Sequence, residues 1–233
     1  MSLRPVDIAR QLKISTTTLR KYEDMGLVPK TSRTLSGYRI YTQKHLAYFT
    51  CIREMIQTFD LKFIKKVLQK VQENQTDEAL WLMTMAQSDL WNQKKTAEKF
   101  INRMQDKHSP SVKDITIHGI SQKTNIPATT IRHWEKAGLI TPCRDPHNNY
   151  RKYNSTHIDQ LLTIYAIKIS IQTHHGKHFI HALRDACQTF DSNNEDQIQE
   201  LTDQVKNRLD IINRLQCKAL MSLITLIHQI SPQ

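Results

Sequence analysis

Apolar residues return along this chain at intervals of three and four, the rhythm of helices that bury one face. In VDIARQL, Ile8 and Leu12 share one side of a short amphipathic helix. Ile14-Ser-Thr-Thr follows, where Ser15 or Thr16 can cap a second helix running through Leu19–Asp24. Gly26 is placed to end that helix in a left-handed cap. The rhythm then breaks: Arg33–Tyr41, RTLSGYRIY, sets Ser-Gly between short flanks and predicts a small β-hairpin. Beyond it, Leu46, Phe49, Ile52 and Ile56 stripe a helix over Lys44–Thr58, and Ile64, Val67, Leu68 and Val71 stripe another over Leu61–Gln72. Thr76–Lys107, free of Gly and Pro, predicts a long helix.

The same order then repeats. Pro5–Leu46 lies on Ile117–Ile158 without a gap, and twelve residues recur 112 positions later: Ile8, Ile14, Thr17, Thr18, Arg20, Glu23, Gly26, Leu27, Tyr38, Arg39, Tyr41 and His45. In the second copy Pro127 suits a first helical turn, Gly138 ends the helix, and Arg144–Tyr153 (RDPHNNYRKY) predicts a second hairpin with Asn-Asn at its tip. Asn149 stands where Gly37 stood and tolerates the same backbone. His157–Thr173 and Lys177–Phe190 read as helices, and SNNED at 192–196 breaks the pattern. A last helix over Asp196–Ile230 carries Ile198, Leu201, Val205, Ile212, Leu215, Leu220, Leu223, Ile227 and Ile230, a stripe that wants a helical partner. Two short helices joined by a tight turn and followed by a hairpin make a winged helix. The expected fold is mainly α with small β-hairpin wings. A first winged-helix domain covers 1–75, a long helix 76–108, a linker 109–113, a second winged-helix domain 114–191 and a C-terminal long helix 192–233.

Charge adds a partner to this picture. The net charge is +11 and the pI about 9.5, which favours an acidic surface, nucleic acid or anionic lipid. Residues 5–70 hold 13 Lys/Arg against 5 Asp/Glu, and residues 114–183 hold 8 against 4, so the excess lies in the two repeated regions. No apolar run reaches the ~18 residues of a membrane span, so no membrane partner is expected. Cys51, Cys143, Cys187 and Cys217 show no C-x-x-C spacing and no signal peptide opens the sequence. Reduced thiols in a cytoplasmic, nucleoid-associated protein are the expectation.

A recognition helix in a major groove needs side chains near its N-terminus that reach base edges. Thr16, Thr17, Arg20 and Lys21 are of that type, as are Thr129, Arg132 and His133. Arginine reads guanine bidentately and a threonine methyl touches thymine. TTLRKYEDMGLV with GYRIY, and TTIRHWEKAGLI with NYRKY, resemble the MerR family of winged-helix transcription regulators, here as two copies in tandem. The resemblance implies that Tyr22, Tyr38 and Arg39 hold phosphates, with Trp134, Tyr150 and Arg151 as counterparts and with Arg33 and Arg144 beside them on the wings. Core packing is the competing role for Tyr22, and Trp134 has only an indole N–H to offer in place of a hydroxyl. Leu19, Leu27 and Tyr41 read as core. Glu23 and Glu135, acidic on a face turned to DNA, read as internal partners of a nearby arginine.

Candidates for other chemistry are few. Metal-sensing members of the family use cysteines near the end of the long helix, and here only Cys217 lies in such a helix. His174, His178 and His181 fall at four-and-three spacing, but Gly176 interrupts their helix and no carboxylate supports them; no metal and no cofactor are expected. Trp81, Met85 and Trp91, with Met83, Phe100 and Met104, could line a pocket for a flat apolar ligand or pack against a partner helix. Neither a G-x-G-x-x-G loop nor a nucleophile elbow nor an H-E-x-x-H occurs, so the chain does not read as an enzyme.

The duplication itself has a physical reading. Regulators of two half-sites one DNA turn apart are usually two-fold dimers. A helix of about 32 residues is ~48 Å long, enough to cross the ~34 Å between neighbouring major grooves. The second copy is therefore expected to be the dimer partner fused in line, giving a pseudo-dimeric monomer in preference to a homodimer. The expected function is sequence-specific binding and distortion of promoter DNA, with RNA polymerase and a small-molecule inducer as further partners. The alternative is a drug-sequestering protein derived from such a regulator.

Overall fold

The computed structural model describes residues 3–106, 111–171 and 179–230. His174, Gly176 and His178, Lys107 at the expected end of the first long helix, and Ser109 and Pro110 of the linker lie outside those residues. In the first copy, helix α1 (Pro5–Gln11) turns into α2 (Thr16–Asp24), then strands β1 (Ser32–Arg33) and β2 (Arg39–Ile40) form the wing. Helices α3 (Gln43–Met55), α4 (Leu61–Gln72) and α5 (Thr76–Gln105) follow. The second copy runs α6 (Ile117–Thr124), α7 (Ala128–Lys136), β3 (Cys143–Arg144), β4 (Arg151–Lys152), α8 (Ser155–Ser170), α9 (Phe179–Thr189) and α10 (Glu195–Ile230). The architecture is the expected one: two winged helices, each with an antiparallel two-stranded wing and each followed by a long helix.

Recurring residues make recurring joints. The turn between the first two helices puts Lys13 and Asn125, equivalent in the repeat, in left-handed backbone, and Gly26 and Gly138 end α2 and α7 in the same way. Ser15 caps α2, its Oγ accepting the Thr18 N–H at 3.0 Å. Pro127 is the N-cap of α7 rather than a residue of its first turn, and offers no side-chain cap. The paired histidines are capping residues. The Thr42 and Asn154 N–H groups each donate to Nδ1 of His45 and His157 at 3.1 Å, closing capping boxes at the starts of α3 and α8. Tyr41 and Tyr153 are buried, bridge back to Leu3 and Ile115, and meet those histidines edge-on.

The wings break the ungapped alignment. Arg33 pairs with Arg39 across the first wing, and Arg144 with Arg151 across the second. The last strands keep the repeat's spacing, but Arg33 and Arg144 stand one position closer than it demands. The second wing therefore has one more residue at its tip. Asp145 accounts for the difference: its carboxylate accepts the N–H groups of His147 and Asn148, where the first wing has the Thr34 hydroxyl accepting the Tyr38 N–H.

The chain folds as two compact units, Met1–Ser88 with Ile211–Gln233, and Asp89–Asp210. In unit one, the stripe Ile64, Val67, Leu68 and Val71 is buried as predicted, against Tyr48, Phe49, Ile52 and Met55 of α3. The same core takes Ala79 and Met83 from α5 and Ala219, Leu223 and Leu226 from the far end of α10. Burial pushes the Cys51 thiol in this core up to about 12. At its edge, Gln11, Leu46, Thr50, Ser222, Thr225 and Gln229 line a cavity of about 450 Å³.

In unit two, α8 buries Ile158, Leu161, Leu162, Ile164, Ala166 and Ile167, and Ala97, Phe100, Leu201, Val205 and Leu209 are buried in the same unit. Polar contacts fasten α5 to the second winged helix. Arg103 pairs with Asp159 at 2.6 Å, and Lys99 donates to the carbonyls of Gln122 and Lys123 at 3.2 and 2.7 Å, capping the end of α6. Because Phe100 is fully buried, Phe100→Ala should destabilise unit two by roughly 3–5 kcal/mol through lost transfer energy and the cavity left behind; urea unfolding followed by circular dichroism measures it.

Candidate nucleic-acid interface

Each second helix buries one side and exposes the other. Leu19 and Tyr22 of α2, and Ile131 and Trp134 of α7, are three apart and face the core. Thr17, Arg20 and Lys21 then point outward, as do Thr129, Arg132 and His133, and all six are exposed. Thr16 is half-buried. Asp24 and Lys136, one turn further along, are also exposed on this outward face. The spacing of seven from Thr17 and Thr129 held that signal, although neither residue resembles a phosphate contact in both copies.

Tyr22 and Trp134 do not stand at the surface as expected of phosphate contacts. With 4% and 3% of their area exposed they are core side chains. Sharing a face with Leu19 and Ile131 one turn away leaves their rings nowhere else to go. Tyr38 and Tyr150 are the opposite case, each 73% exposed at the wing. Of seven tyrosines in the chain these two alone are exposed, and they occupy equivalent places.

The wing arginines are held from within the protein. Arg39 donates from Nε to Glu23 Oε2 at 2.5 Å and from Nη2 to Asp24 at 3.3 Å. Thr31 donates its hydroxyl to the other Glu23 oxygen at 2.5 Å. Arg151 repeats the pairing with Glu135 at 2.7 Å, joined by Arg144 at 3.1 Å. The internal role expected of the two glutamates is thus observed, and the arginines that answer it are Arg39, Arg144 and Arg151. Arg33 and Arg144 also donate to the carbonyls of Gly37 and Asn149, steadying each wing tip. Burial alone would push the Glu23 carboxyl up; the hydrogen bonds from Thr31 and Arg39 and the guanidinium charge outweigh it and hold the group below its ordinary value. A groove lined by Arg4, Arg20, Thr34, Tyr38 and Arg39 runs between α1, α2 and the wing. Leu3, Pro5, Ile40 and Tyr41 complete its lining, so three arginines rim a largely apolar floor.

The expected ligand residues do not form a pocket. Trp81, Met85 and Trp91 are 64%, 62% and 53% exposed on the solvent side of α5, and Lys94 and Lys95 lie over the Trp91 ring at 5.5 and 5.6 Å. Of the apolar candidates on that helix, Met83 and Phe100 are buried, in company with Ala79, Leu90 and Ala97. Among the described residues no three His, Cys, Asp or Glu side chains gather as a metal site, and His181 is the only member of the candidate histidine trio described.

The model of the MerR family regulatory protein matches at residues 4–41 and again at 116–153. The chain is 41% identical over 51 residues to the HTH-type transcriptional regulator CueR of Salmonella typhi, covering 22% of this chain and 37% of that protein. It is 33% identical over 76 residues to the mercuric resistance operon regulatory protein of Bacillus cereus, covering 32% and 58% respectively. The chain thus spans well under two thirds of the curated relatives it matches. No solved structure matches it.

The Glu23 hub has a pH signature. A carboxyl with a lowered folded pKa contributes stability above its unfolded value, 4.5, and loses it as pH falls through the folded value. Glu23→Gln should cost about 1–3 kcal/mol at neutral pH. The gap to the parent should close as pH drops below the ordinary carboxylate range, as read from thermal melts across pH 3–7.

Proposed function

We propose that this tandem MerR-family protein is a transcription regulator that binds promoter DNA with both winged helices of a single chain. The observation that carries the reading is the recurrence of one exposed set in two places. Thr17, Arg20 and Tyr38 in the first head, and Thr129, Arg132 and Tyr150 in the second, are left out of the cores while the aromatic residues around them are buried. An exposed tyrosine beside an exposed arginine has no packing role to preserve it; a phosphate strand crossing α2 and the wing gives it one.

The second copy replaces a dimer partner in this reading. Support comes from the way each head is closed. The core of the first includes Ala219, Leu223 and Leu226 from the helix of the second copy. The second head is fastened to the helix of the first through Arg103 and Asp159. A head that draws its packing from the other copy's helix needs no second chain. The protein would then grip two half-sites, and the contacts made by both heads would offset the few kcal/mol that bending and untwisting a short duplex cost. RNA polymerase meeting the distorted promoter is the partner downstream of that step.

Mobility shifts on duplexes from the protein's own promoter test this. Affinity should fall about a hundredfold between 50 and 200 mM salt for roughly four neutralised phosphates. Arg20→Ala and Arg132→Ala should each cost about 1–3 kcal/mol of binding. Sedimentation should give one chain of 27.3 kDa alone and one chain per duplex. A stable two-chain particle with four heads, or binding insensitive to salt and to both arginine changes, overturns the reading.

A further inference from the structure

The two recognition helices agree on part of their outward faces and disagree on the rest. On α2 the exposed residues along the face opposite Leu19 and Tyr22 are Thr17, Arg20, Lys21 and Asp24; on α7 they are Thr129, Arg132, His133 and Lys136. The first two of each set are identical. The last two are not: a cation followed by an anion on α2 becomes an imidazole followed by a cation on α7. Seven residues of helix cover ~10 Å, about three base-pair steps of 3.4 Å, so the difference lies within the reach of one half-site.

The disagreement is chemical as well as positional. A carboxylate in the major groove accepts from cytosine N4 and is repelled by phosphate, whereas lysine donates to guanine O6 and N7. Asp24 is half tied by Arg39 Nη2 at 3.3 Å but keeps 67% of its side chain exposed. In the second head Arg151 has only Glu135 to hold, because Lys136 stands where that second carboxylate would be. The caps differ too. Ser15 Oγ and Thr18 Oγ1 lie 2.9 Å apart and engage each other on α2, while Pro127 leaves the equivalent Thr130 without that partner.

We infer that the two heads read unequal half-sites, alike opposite Thr17/Thr129 and Arg20/Arg132 and unlike opposite Lys21/His133 and Asp24/Lys136, so that the chain lies on its duplex in one orientation. The inference rests on the duplex-binding reading and adds the residues that set its polarity. A homodimer has two identical readers and is indifferent to which half-site faces which way; one chain with two readers is not.

Selection of bound duplexes from a randomised library by the full-length protein tests it. The enriched sites should pair two half-sites that share a core and differ at the positions beyond it. A duplex carrying either half-site twice should bind about tenfold more weakly per mismatched pair. His133→Lys with Lys136→Asp should recover about that factor on the duplex that doubles the first half-site. Lys21→His with Asp24→Lys, the converse exchange on the first head, should recover it on the other. All four positions are exposed, and an unchanged thermal midpoint establishes that each variant is folded. Enrichment of a perfect palindrome by the parent, or no change of preference in either folded variant, overturns the inference while leaving duplex binding in place. Failure to enrich any sequence overturns duplex binding itself.

Discussion

One carboxylate on the recognition helix holds one arginine on the wing, and the geometry of each head follows from that grip. Glu23 with Arg39, and Glu135 with Arg151, tie two elements that have little else in common: a nine-residue helix and a two-residue ribbon. A ribbon of two paired residues does not hold its own position. Fastened to α2 or α7 by a charge-assisted hydrogen bond, it presents Tyr38 or Tyr150 at a fixed distance from Arg20 or Arg132. The same bond neutralises an acid on an otherwise basic face, which the proposed contact with phosphates requires.

The copies have kept that grip and relaxed much else. The first wing is tipped by hydroxyl groups, with Thr34 and Ser36 2.9 Å apart. The second is built on Asp145, which also pairs with Lys152 at 2.7 Å. The long helices meet their heads differently. In unit two, Arg103 and Lys99 make an ion pair and cap carbonyls; in unit one, amides and hydroxyls surround a cavity instead. Such differences are what a duplication within one chain allows, because each copy can change without the other.

Much of this was legible in the letters. Gly26 and Gly138, the stripe from Ile64 to Val71, and the identities at 112 positions gave the helices, the turns and the doubling. The arginine partners of Glu23 and Glu135 were legible because an acid on a basic face needs an explanation. What escaped had physical causes. Tyr22 and Trp134 look like polar-tipped aromatics, but three-residue spacing from Leu19 and Ile131 sends their rings inward. The slip in the second wing leaves the letter alignment intact, because the residue added at its tip is taken from the segment before the strand and the total length is unchanged. Trp81, Met85 and Trp91 are large and apolar yet lie on the outside of α5, where size says nothing about which side of a helix faces the core.

The sharing of α10 has a consequence for how such a protein can be taken apart. A gene cut at the linker would give a first fragment with every exposed residue of α2 and its wing intact. It would lack Ala219, Leu223 and Leu226, which are part of the same buried cluster as α3, α4 and the start of α5. The fragment after the cut would carry those three residues without the rest of the cluster. Excision at the linker would therefore divide a core as well as a chain: each winged helix is completed by residues that lie on the far side of the cut.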